Sequence, residues 1–95
     1  MKVTYTKPAC RVSLGYERIG TLTTAQALTV PAGAVSALIV CEAQAVRWRG
    51  DGVAPTASVG MPLAVGPHLE YSGDLSAFKV IEQTAGGKLN VTYFA

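Results

Sequence analysis

The chain has 95 residues, a formal net charge of +2, 49% apolar residues and 15% charged residues. Its length suits one domain, expected to run over 1–95, and too little chain remains for a second. The apolar share supports a packed interior rather than disorder, and the weak, scattered positive charge argues against nucleic acid, which calls for a dense basic stripe.

Short runs of β-branched and aromatic residues recur between glycines and prolines, and this sets the reading along the chain. "KVTYT" alternates, with Val3 and Tyr5 on one face, and reads as a half-buried strand that Pro8 ends or places at an edge. In "RVSLGYERIG", Val12 and Leu14 follow a period of two, and Gly15 marks a candidate bulge. "TLTTAQALTV" fits either one helical turn or a strand, with a strand favoured over residues 27–30. "PAG" is a turn: proline sets φ early in it and glycine supplies positive φ.

"AVSALIVCEA" is apolar on both faces, with Val35, Ala37, Ile39 and Cys41 on one and Leu38 and Val40 on the other. It is expected to be a central strand covered on both sides. "QAVRWRG" sets Val46 and Trp48 against Arg47 and Arg49, and either continues that strand or follows a bend. "GDGVAPTASVG" is the longest loop-like piece, and "MPLAVG" follows as a short bracketed run. "PHLEYSGD" places Leu69 and Tyr71 opposite His68 and Glu70 and closes on a turn. "LSAFKVIEQ" reads as a strand, "TAGG" as a hairpin turn, and "KLNVTYFA" as the closing strand with Leu89, Val91 and Tyr93 on one face.

No stretch keeps a 3.6-residue period with helix caps. The fold class is therefore all-β. About seven to nine short antiparallel strands are expected, as a single-domain β-sandwich or a small, jelly-roll-like barrel.

Chemistry-bearing patterns are sparse. His68 is the only histidine, which removes most triad and metal arrangements. The six carboxylates show no paired spacing suited to acid–base work. No glycine-rich loop opens a helix. The expectation is a protein without enzymatic activity, metal or cofactor. Cys41 lies in an apolar run, where a free buried thiol is the common case, and Cys10 follows Pro8. "MKVTYTKP" has no apolar core of a secretory signal and no run is long enough to span a membrane. Synthesis in a cytoplasm, without a disulfide and without membrane association, is the expectation.

The triplet Arg49-Gly50-Asp51 matches an adhesion motif, but Asp51-Gly52 is a good turn pair and three-residue matches arise by chance. Trp48 reads either as an interface anchor or as a core tryptophan, and its neighbour Val46 on the same face favours the core.

Taken together, residues 46–94 resemble the C-terminal half of small virion structural proteins of tailed bacteriophages. The resemblance rests on five pieces in order. They are an arginine-containing strand, a loop with Asp51, Gly52, Pro55 and Thr56, the "GMPL" step, the "GDLSA" turn, and the closing "LNVTY" strand. It implies a non-enzymatic β-domain assembled on a virus particle after synthesis in the bacterial host. A capsid decoration or cement protein leads, with a tail or head–tail component as the alternative. A receptor- or carbohydrate-binding module, with Trp48, Tyr71 and His68 at a shallow site, is the rival from another class. The implied partners are copies of the chain, trimers among them, and the major capsid protein or other virion proteins. The expected contact residues are Arg47, Arg49, Asp51 and Pro55 in the 47–60 region, and Val3 and Tyr5 in the first strand.

Overall fold

The computed structural model describes residues 11–95. Val3, Tyr5 and Cys10, with the strand expected around the first two, lie outside the described residues. Eight strands follow in chain order: β1 (Ser13–Ile19), β2 (Gln26–Ala27), β3 (Ser36–Glu42), β4 (Val46–Arg49), β5 (Met61–Leu63), β6 (His68–Tyr71), β7 (Lys79–Glu82) and β8 (Lys88–Phe94). They form two four-stranded sheets, ordered β1-β8-β3-β6 and β2-β7-β4-β5. Every strand pair within them is antiparallel. The sheets stay separate, so the sandwich of the two expected architectures is the one formed.

Alternation positions the core. In β3 and β8 each second residue turns inward, which buries Ala37, Ile39 and Cys41 beside Leu89, Val91 and Tyr93. Val46 and Val80 of the other sheet, with Phe78 just before β7, complete the cluster. The bulge expected at Gly15 is present: pairing with β8 shifts between Ser13 and Gly15. That shift turns Glu17 and Ile19 toward the interior side of an edge strand. Cys41 carries a free, buried thiol that donates to the Gln44 carbonyl at 2.8 Å, and burial pushes its pKa up.

The order of strands explains several departures from the sequence reading. The chain changes sheet at every connection except β4–β5, which is therefore the one hairpin among the described strands. "TAGG" makes a turn but not a hairpin. It carries the chain from β7, whose two neighbours are β2 and β4, to β8, whose two neighbours are β1 and β3. Both strands are already paired on each side, so they have no edge left for each other. "QAVRWRG" follows a bend rather than extending β3. Ala43 takes φ 75° there, and the chain passes to the second sheet. The strand expected over residues 27–30 shrinks to the two residues of β2, with Leu28 buried beyond it. "LSAFKVIEQ" begins as a 3-10 turn, Leu75–Ala77. The Asp74 carboxylate caps it, accepting from the Ser76 N–H at 3.0 Å and the Ser76 hydroxyl at 2.6 Å. β3 is central in its sheet, but Leu38 and Val40 on its outer face are only half-buried, so cover on both sides is not seen. The far end of that run also opens out, with Val35 exposed.

Three aromatic rings close one end of the sandwich. Trp48 stacks on Phe78 with centroids 5.1 Å apart and meets Tyr71 edge-on at 5.4 Å. Tyr71 meets Phe78 edge-on at 5.0 Å. The Tyr71 hydroxyl end is clamped between two glycines. A Cβ at Gly50 would lie 2.1 Å from that oxygen, and one at Gly73 would lie 2.6 Å from it. Because the ring is held by its aromatic neighbours, it cannot swing away cheaply. Gly50→Ala is predicted to destabilise the protein by about 1–3 kcal/mol. With Tyr71→Phe in the same chain the nearest ring atom is 3.1 Å away, and most of that loss should be recovered. Urea denaturation of the two single variants and the double variant checks this; additive effects would contradict the clamp.

Candidate functional site: the loop of the β4–β5 hairpin

The β4–β5 hairpin carries the 50–60 loop, and its geometry follows from two arginines on the outer face of β4. Arg47 sits opposite Pro62 of β5 and Ile81 of β7. Its guanidinium donates from Nε to the Ala57 carbonyl at 3.1 Å and from Nη1 to the Gly60 carbonyl at 2.9 Å. A planar fork suits two backbone acceptors held side by side. Arg49 grips the Asp51 carboxylate with both arms, Nε to Oδ1 at 3.1 Å and Nη2 to Oδ2 at 2.5 Å. The Val53 N–H also donates to Oδ1 at 3.2 Å. Thr56 and Val59 bond each other's backbone, and the Thr56 hydroxyl accepts from the Ser58 and Val59 N–H groups. The Gly52 N–H ties the loop to the Ala77 carbonyl at 3.0 Å. Gly60, at φ 145°, is in backbone territory that L-residues rarely adopt, and a Cβ there would lie 3.0 Å from the Pro55 Cβ and 3.2 Å from the Arg47 Cβ.

The expected contact residues thus divide. Arg47, Arg49 and Asp51 come together in this hairpin, but their polar atoms are engaged within the chain. Pro55 is buried, packed where Gly60 turns, so it anchors the loop from inside. Beside the exposed Asp51, Thr56 and Ser58, the hairpin also shows apolar side chains outward: Val53 is 51% exposed, Val59 54% and Met61, at the start of β5, 57%. Composition gave no signal that Arg47 is spent on the loop, because arginine is normally read as a free outward group; the carbonyls that it bonds are set by the loop's path.

The adhesion triplet is accounted for by the same contacts. Gly50 makes room for Tyr71, and Asp51 is held by its own arginine. The shallow site of Trp48, Tyr71 and His68 does not assemble. Alternation along β6 turns Tyr71 toward Trp48 and Phe78, while His68 and Glu70 lie on the exposed opposite face. Trp48 is half-buried in the aromatic group, in keeping with the core reading.

The outer face of the first sheet carries a second polar arrangement. Tyr16 donates to the Asn90 side-chain carbonyl, whose amide donates to Glu42 at 2.8 Å; Arg18 meets the same carboxylate at 3.3 Å. Asn90 and then Arg18 hold the Glu42 carboxyl below its usual range. At the end of this face the Arg11 guanidinium lies 4.2 Å from the Phe94 ring centre. Among the described residues no group of three or more His, Cys, Asp or Glu side chains is placed to hold a metal ion, and no helix is long and apolar enough to cross a membrane.

Comparison with protein-family models, curated proteins and solved structures finds no significant match to the chain.

The Arg49 guanidinium, with the Val53 N–H, pulls the Asp51 carboxyl down to about 2. An unfolded aspartate titrates near about 3.9. A depressed carboxylate stabilises the fold above its unfolded pKa, and that contribution fades as pH falls through the folded value. The loop contacts of Asp51 are therefore predicted to weaken between about pH 4 and pH 2. Carboxyl-carbon NMR titration should place Asp51 near 2 and, in Arg49→Gln, back in the ordinary carboxylate range; equal midpoints in both proteins would contradict the pairing.

Proposed function

We propose that the chain is a non-enzymatic assembly subunit that docks through the β4–β5 hairpin, and that its setting is the tailed-phage virion, as a capsid decoration or cement protein. The observation that carries the reading is a loop held by its own contacts, Arg47 on two carbonyls and Arg49 on Asp51, on which Val53, Val59 and Met61 remain about half exposed. A held loop loses little conformational freedom on binding, so more of the contact energy survives as affinity. Exposed apolar side chains on such a loop suit a docking surface. The virion setting comes from the resemblance of residues 46–94 to small phage structural proteins.

Magnitudes then favour an oligomer. Burying what remains exposed of three such side chains contributes on the order of 1 kcal/mol each, which is weak for one hairpin. Copies joined to each other multiply that contact through effective concentration, as a repeating shell would allow. A trimer on threefold positions of a capsid lattice fits this arithmetic, with the major capsid protein as partner. A tail or head–tail position uses the same hairpin on a different ring.

Mass photometry of the purified protein with emptied heads of the phage that carries its gene tests the proposal. Binding is expected, with Val59→Asp reducing it at least tenfold while the melting temperature stays within about 3 °C of the parent. No binding to heads or tails, or binding indifferent to Val59→Asp, would overturn it.

A further inference from the structure

A separate feature lies at the β1–β2 side of the sandwich, away from the β4–β5 hairpin. The bulge in β1 turns Glu17 inward, and the carboxylate sits where the chain at residue 29 passes the edge strand. Its Oε2 accepts the Thr29 N–H at 2.8 Å and the Tyr93 hydroxyl. Burial, then the Glu17 contact, hold the Tyr93 phenol protonated, so it is a neutral donor. The second oxygen, Oε1, meets no donor among the described residues, and no lysine or arginine among them pairs with Glu17. Arg18, the basic residue next to it in sequence, is spent on Glu42. Beside the carboxylate opens a cavity of about 250 Å³ lined by Gly15, Tyr16, Glu17, Thr29, Pro31 and Tyr93.

From this arrangement we infer that the cavity is a binding site for a primary ammonium group on an alkyl chain, with Glu17 as its counter-ion. One carboxylate is too few ligands for calcium, which takes about six to eight oxygens. A compact ammonium suits a single-point ion pair, and its methylene stem packs along surfaces such as the Pro31 and Tyr93 rings. The two neutral donors fix the carboxylate's orientation without cancelling its charge, leaving Oε1 for the cation. Such an ammonium has two sources, a free alkyl amine or the lysine side chain of another protein. The inference stands apart from the hairpin's role, since neither requires the other.

Chemical-shift titration of the labelled full chain with n-butylammonium, and in parallel with n-butanol, tests the site. The cation is expected to move the amides of Gly15, Glu17 and Thr29, and the alcohol to leave them in place. Glu17→Gln keeps an acceptor for Thr29 and Tyr93 but removes the charge, and should weaken binding by roughly tenfold. Tyr93→Phe keeps the charge and the ring but removes one of the two donors that orient the carboxylate, and should weaken binding less than Glu17→Gln does. Cadaverine and an acetylated, amidated Gly-Lys-Gly peptide then separate the sources: tighter binding by the first assigns the site to a free amine, by the second to a protein lysine, and either supports it. Equal response to butanol, or binding unchanged in Glu17→Gln, overturns the site even if that variant is less stable, because the butanol arm uses the unaltered chain.

Discussion

The candidate interface depends on one contact, the Arg47 fork holding the Ala57 and Gly60 carbonyls. A loop of this length without secondary structure has unpaired backbone acceptors and many conformations. Arg47 answers both at once. It satisfies two carbonyls and sews the far arm of the loop to β4, a strand packed in the second sheet. On the near arm Arg49 grips the Asp51 carboxylate, which also accepts the Val53 N–H, and Pro55 is buried where Gly60 turns. With the arginines spent on the chain's own acceptors, valines and a methionine share the solvent face with Asp51, Thr56 and Ser58. The exposed apolar surface is thus a consequence of how the loop is held.

The topology gives that loop its place. Six of the seven connections between the eight strands move the chain from one sheet to the other, and only β4–β5 stays within a sheet. Connections that cross are constrained at both ends by different sheets. The hairpin starts and ends in one sheet, with the Gly52–Ala77 bond and the Arg47 fork as its further ties, so it is the place where the chain can extend without disturbing the stack. The aromatic trio of Trp48, Tyr71 and Phe78 supports that base, and Gly50 lets the loop leave β4 directly over the Tyr71 hydroxyl.

Much of this was legible in the sequence where a local rule decides. Alternation in "KLNVTYFA" and "VRWRG" marks the inward faces of β8 and β4, and Gly15 marks the bulge, because side-chain direction in a strand is a local property. Pairing is not local. "TAGG" carries every sign of a hairpin, yet both flanking strands are central in different sheets. Leu38 and Val40 look covered because apolar residues suggest burial, but a sheet face is covered only if another layer lies on it. Likewise Arg47 and Pro55 read as surface and contact residues, while the path of the loop brings carbonyls to the one and encloses the other. Glu17 gave no signal, since its inward turn depends on the register shift that Gly15 introduces.

The most direct test of the account is amide hydrogen exchange of Thr56 and Val59, whose N–H groups are bonded only within the loop. In the parent chain both are expected to exchange at least tenfold more slowly than in Arg47→Lys, which keeps the charge but lacks the fork, while amides of β3 and β8 are unchanged. Equal exchange at those two positions in the two proteins would show that Arg47 does not hold the loop, and the pre-formed docking surface would lose its basis.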